Sequence, residues 1–197
     1  MARIMKSEFL EYLAGHGKTM AGLEDLLPSL EKVCVVLADT LAAGKRIWLA
    51  GNGGSAADAQ HIAGEMEGRF LVERKARAVH TLGANSSTMS AVANDYGFES
   101  VFARQVEGFV EAGDLLWLIS SSGNSPNLVA AADAAGKKGV TVLGLLGKGG
   151  GAVAPLCDHL LNVPADFTPW IQEAHITLGH MICRQVDVLL EAGGREG

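Results

Sequence analysis

The chain has 197 residues, enough for one domain with a full core and too few for two large ones. A hydrophobic content of 48% with 25 glycines and only 19% charged residues describes a glycine-punctuated α/β protein and excludes a disordered or fibrous one. Sixteen basic against 22 acidic residues leave a net charge of −6, which argues against a nucleic-acid partner and for a small one.

Cys34, Cys157 and Cys183 are odd in number and share no C-x-x-C spacing. They form neither a disulfide framework nor a cysteine-built zinc site, and read as buried thiols in a reducing cytosol. Arg3 and Lys6 are not followed by an uninterrupted apolar segment, and no apolar run reaches 18 residues. A cytoplasmic protein without a membrane partner is expected.

From about Ser7 to Ala43 the pattern is helical, with Leu10, Leu13, Met20, Leu23 and Leu26 at helical spacing, Pro28 opening a second helix and Gly44 closing it. Thereafter the chain alternates: strand near 46–50, helix 55–67, strand near 78–82, helix near 86–93, strand 114–119, helix 125–137, strand 140–146, strand near 159–163 and a long helix from about 168 to 191. Such alternation implies a parallel sheet covered on both faces. The expected fold is α/β, a three-layer αβα sandwich around a mostly parallel, flavodoxin-like sheet, in a single domain spanning residues 1–197. Lys148 to Gly151 reads as a mobile glycine turn.

Chemistry concentrates in two loops that follow strands, where parallel sheets bind ligands. Asn52-Gly53-Gly54-Ser55 turns the chain from a buried strand into a helix, with Ser55 as expected N-cap and phosphate contact and with backbone N–H groups able to hold a phosphate. On that helix His61 and Glu65 stand at i, i+4 and share one face. In the second loop Ser120, Ser121, Ser122 and Ser125 cluster before a helix, with Ser125 as N-cap and Pro126 at its first position. Neither glycine cluster is followed by the lysine of a P-loop, and neither matches G-x-G-x-x-G, so nucleoside triphosphates and dinucleotides are poorly supported. A sugar phosphate fits better.

Asn52-Gly53-Gly54-Ser55, Asn94-Asp95-Tyr96-Gly97, the Ser120–Ser125 loop, and Ile171-Gln172-Glu173-Ala174-His175 with His180 together resemble the phosphoheptose isomerase family of the sugar isomerase (SIS) domain superfamily. The resemblance runs from about residue 30 to 190. It implies conversion of sedoheptulose 7-phosphate to D-glycero-D-manno-heptose 7-phosphate, for nucleotide-activated heptose and cell-surface glycans. It also implies homotetramers with shared active sites, in which helices 7–43 would be the oligomerisation element. Substrate contacts implied by the family fall on Asn52, Gly53, Gly54, Asn94, Asp95, Ser120, Ser121, Ser122, Ser125 and Gln172, and one zinc per subunit on His61, Glu65, Gln172 and His180. The chain departs from the family at Asn85, where many relatives carry aspartate, at Ser121, where threonine is common, and over Val72–Val79, which lacks a proline-containing pattern.

Aldose–ketose interconversion moves a proton between adjacent carbons through an enediol and needs a base and an acid. Glu65 is the expected base and His180 its partner, since an imidazole both donates and accepts near neutral pH. A carboxylate on a metal is a weaker base, so the two roles expected of Glu65 compete. The remaining histidines, His16, His80, His159 and His175, read as core residues, with Glu173 and His175 as a capping or salt-bridge pair. Asp95 is either a substrate contact or a cap of the turn before Gly97. Trp48, Trp117 and Trp170 read as packing residues. Two alternatives stand beside the isomerase: a non-enzymatic SIS tetramer that binds a replication-initiator protein, whose members lack counterparts of Glu65 and His180, and another sugar-phosphate activity.

Overall fold

In the computed structural model, which describes residues 2–192, helices α1 (Ala2–Ala21) and α2 (Leu27–Ala42) precede the first strand and are joined by a short 3-10 turn. Then follow β1 (Ile47–Gly51), α3 (Gly54–Glu67), β2 (Val79–Thr81), α4 (Ser86–Tyr96), α5 (Ala103–Phe109), β3 (Leu115–Ser120), α6 (Pro126–Lys137), β4 (Thr141–Leu146), β5 (His159–Asn162) and α7 (Thr168–Ala192). All five strands are parallel, in the order β2-β1-β3-β4-β5. The sandwich expected from the alternation is the one observed.

Strand periodicity sorts the core into two halves. Ile47, Leu49, Leu115, Trp117, Ile119, Leu143 and Leu145 face α2, α3 and α7, whereas Ala50, Leu116, Leu118, Val142 and Leu146 face α5 and α6. The sequence reading missed α5, whose seven residues carry no side-chain cap. It also ended α4 too early: the helix runs to Tyr96 and takes Asn94 and Asp95 into its last turn. Asn85 caps α4 by accepting N–H bonds from Ser87 and Thr88 at 3.0 and 3.2 Å, work that either asparagine or aspartate does well.

α1 lies along α7. Tyr12 and His16 both reach Glu173, at 2.7 Å each, and the indole of Trp170 occupies the space where a Cβ on Gly15 would stand. Phe9, Leu10 and Leu13 point away from the chain and are exposed. Of the histidines expected in the core only His175 is fully buried. His16 and His80 are partly exposed and pair with Glu173 and Glu67, and His159 is half-buried. Glu173 thus pairs with His16 rather than with His175. Cys34 and Cys183 are buried free thiols, and Cys157 is half-buried.

Candidate active site

Order 2-1-3-4-5 sends the connection after β1 to one face and that after β3 to the other, so a crevice opens at the carboxyl ends of β1 and β3. Both conspicuous loops meet there. Asn52 and Asn127 join them through reciprocal side-chain amide bonds of 2.9 Å, with Asn127 buried. The Asn52 amide, expected on substrate, is thereby spent partly on holding the two loops together.

In the first loop glycine is a steric requirement. A Cβ on Gly51 would lie 2.5 Å from the Ser55 carbonyl oxygen, and one on Gly54 would lie 2.6 Å from Gln172 Nε2, so the Gln172 amide rests on the first turn of α3. Gly53, at φ +55, takes the N-cap position expected of Ser55, which is buried in the first helical turn instead. The N–H groups of Ser55, Ala56 and Ala57 close back onto the carbonyls of Asn52 and Gly53.

The second loop is braced from within. Ser120 is buried and its hydroxyl accepts the Gly123 N–H at 3.0 Å, while Ser122 accepts that of Asn124 at 3.2 Å. Ser125 stands at the N-cap of α6 as expected, but makes no cap hydrogen bond, so its hydroxyl is not spent on the helix. The 148–151 turn, expected to be mobile, packs against this loop: Gly150 is buried, Asn124 Oδ1 accepts the Ala152 N–H, and any Cβ on Gly123 would collide with the Gly150 carbonyl.

About two turns along α3 from the first loop, α3 and α7 bring three donors together. Ala59, Ile62, Ala63 and Met66 of α3 and Ile171, Ala174, Leu178 and Ile182 of α7 are buried in one core, and Gly179 leaves room for Ile62. On the adjoining stripe His61 Nε2 lies 3.3 Å from Glu65 Oε1 and 3.3 Å from His180 Nε2, and Phe70 stacks on the His180 ring at 5.5 Å. Four ligands at 2.0–2.1 Å around a tetrahedral zinc stand about 3.3–3.4 Å apart, so this spacing and the N,N,O donor set fit such an ion. Gln172, the fourth expected ligand, sits two turns earlier on α7 with its amide over Gly54.

Asn94 and Asp95 are exposed on α4, and Asn94 Nδ2 donates to Asp95 Oδ1 at 2.7 Å. Asp95 does not cap the turn before Gly97, whose N–H bonds the Ala93 carbonyl.

Two groups escaped the sequence reading. Arg74, with its side chain 1% exposed, donates Nη2 to the Glu65 carbonyl at 2.9 Å, Nη1 to the Gly68 carbonyl at 2.7 Å and Nε to Asp187 at 2.8 Å. It thus holds the last turn of α3, whose carbonyls need partners. Asp58, one turn before His61, has a buried Oδ2 without a hydrogen-bond partner, and burial pushes its carboxyl up to about 6 while the His61 charge pulls it down. Its spacing of three from His61 and seven from Glu65 was the available signal.

The SIS domain matches this chain over residues 11–147, which sets the class of the fold and its crevice. The phosphoheptose isomerase of Campylobacter concisus is 48% identical over 184 residues, 93% of this chain and 97% of that one, and that of Nitratidesulfovibrio vulgaris is 50% identical over 81% of this chain and 76% of its own. The solved structure of phosphoheptose isomerase GmhA from Neisseria gonorrhoeae superposes with a TM-score of 0.88 at 37% identity, covering 93% of this chain and 99% of that one. The chain belongs to the phosphoheptose isomerase family of SIS-domain proteins.

Proposed function

We propose that this protein is the isomerase that converts sedoheptulose 7-phosphate to D-glycero-D-manno-heptose 7-phosphate, supplying nucleotide-activated heptose for cell-surface glycans. The observation that carries this reading is the convergence of His61, Glu65 and His180 from α3 and α7, in a chain of this family. Ser121, Ser122 and Ser125, with the backbone of Gly53 and Gly54, hold the phosphate, while Ser120 and Asn52 fix the shape of the loops. Gln172, Asn94 and Asp95 orient the sugar hydroxyls. Glu65 removes the proton from the carbon next to the carbonyl and returns it to the neighbouring carbon, and His180 moves the proton between the two oxygens. The remote phosphate supplies the binding energy that aligns the reacting carbons with these groups.

His61, Glu65, Gln172 and His180 would hold one zinc ion, which polarises a carbonyl and stabilises negative charge as a Lewis acid. The assembly is a homotetramer with shared sites, in which the exposed Phe9, Leu10 and Leu13 of the 7–43 segment are covered by other subunits. No helix among the described residues is long and apolar enough to cross a membrane.

The deciding experiment incubates the pure protein with sedoheptulose 7-phosphate, with hexose and aminosugar phosphates, and with unphosphorylated sedoheptulose, following aldose formation. Turnover of the heptose phosphate, with little on the others, is expected. If no sugar phosphate reacts, the enzymatic reading fails.

A further inference from the structure

Positive charge is concentrated at the opposite end of the sheet from the serine loop. Lys45 precedes β1 and Arg77 precedes β2, so both lie at the amino edge of the strands. With Lys75, Ala42, Gly44 and Leu190 they wall a cavity of about 210 Å³. The Arg77 side chain is 8% exposed, and neither its Nε nor its Nη2 has a hydrogen-bond partner.

The nearest carboxylate does not answer this deficit. Asp187 Oδ1 is 3.7 Å from Arg77 Nε and is already committed to Arg74 Nε at 2.8 Å. One carboxylate faces two guanidinium groups, which leaves a buried positive charge with unmet donors on the cavity wall. The carbonyls of Asp39, Thr40 and Leu41 are occupied by the N–H groups of Ala43, Lys45 and Gly44. The Lys45 ammonium gives one hydrogen bond to the Ala112 carbonyl at 2.9 Å and has three donors in all.

We propose that this cavity is a second anion site, taking inorganic phosphate or the phosphate group of a small phosphomonoester between Arg77 and Lys45. A tetrahedral dianion presents several acceptors to a guanidinium fork and satisfies the donors that the chain leaves open. The volume lies below the roughly 300 Å³ at which pockets begin to hold drug-sized ligands, so a whole nucleotide does not fit. This site is independent of the heptose reading, because it shares no residue with the crevice at the carboxyl ends of the strands.

Equilibrium dialysis of the full chain with radiolabelled inorganic phosphate tests it. A Ser122→Ala, Ser125→Ala background weakens the serine loop and leaves the second site to be read alone. In that background Arg77→Gln is expected to weaken phosphate binding about tenfold or more. Unchanged binding overturns the proposal, as does a background variant that binds no phosphate at all. Should Arg77→Gln fail to fold by circular dichroism, Lys45→Gln gives the same test: weaker binding supports the site and an unaltered isotherm overturns it. Glucose 6-phosphate as competitor separates the two sources. Displacement of the label means that a phosphomonoester enters, and retention means that the supported site is restricted to free phosphate.

Discussion

The proposed site draws on two regions built in opposite ways. α3 and α7 carry His61, Glu65 and His180 on stripes adjoining faces that are sunk in the core, with Ile62, Leu178 and Ile182 all fully buried. α4 carries Asn94 and Asp95 and has no buried residue at all. It leans on the second half of the core through the partly buried Met89, Val92 and Ala93, and Tyr96 at its end is 56% exposed. Groups that must meet within a few tenths of an ångström are therefore mounted on rigid elements, while groups that need only close over a sugar stand on a soft one.

Removing the chemistry should break this contrast most sharply. Glu65→Gln and His180→Ala are each expected to lower turnover about 10³-fold, equivalent to about 4 kcal/mol of barrier, with an unchanged melting curve. Aldose formation measures it, and a variant that keeps more than a tenth of the rate takes that residue out of the mechanism.

Truncation at the two mounts compares their packing directly. Ile62→Ala should cost about 3 kcal/mol and Val92→Ala less than about 1 kcal/mol in denaturant unfolding. Equal losses would mean that α4 is held as firmly as α3.

Acid probes the rigid half from another side. His175 is fully buried and burial pushes its imidazole down to about 4, so the folded chain binds fewer protons than the unfolded chain, whose histidine titrates near 6.5. Its contribution to stability is present above pH 6.5 and is lost as pH falls through 6.5 towards 4, by up to about 3 kcal/mol. His175→Gln should flatten that part of the pH–stability curve. Asp58 runs the other way. With its carboxyl pushed up to about 6, the folded state is favoured while the group is protonated, and that advantage is lost as pH rises from about 4 to about 6. In chelator-treated protein Asp58→Asn should gain about 1 kcal/mol at pH 7.5, a figure reduced for partial solvent screening, and nothing at pH 4. An equal gain at both values would show that the group does not titrate in this range.

The smallest effect concerns motion. Amide exchange in α4 should be about tenfold faster than in α3, and sedoheptulose 7-phosphate should slow it. Protection equal to that of α3 before substrate is added would erase the distinction.

Local patterns made most of the fold readable. Short apolar runs placed all five strands within a residue, and the i, i+4 pair placed His61 and Glu65 on one face. Ser125 was located correctly at its cap, yet its missing hydrogen bond depends on loop geometry that spacing does not encode. Contacts across long separations were not readable. His180 lies 119 residues from His61, Asp187 lies 113 from Arg74 and Asn127 lies 75 from Asn52. Only the family resemblance brought His180 to the site, because periodicity fixes a helix face and not which other helix it meets.

Gly15 gives the first helix a fulcrum. The Trp170 indole sits where a methyl group would be, and Tyr12 and His16 tether the same turn to Glu173. Phe9 lies about 9 Å further out along the helix axis. An alanine at position 15 would lift the helix at its pivot and swing the apolar blade of Phe9, Leu10 and Leu13 through a larger arc. In the proposed tetramer, a change of one carbon atom inside a subunit would then be felt chiefly as a misfit between subunits.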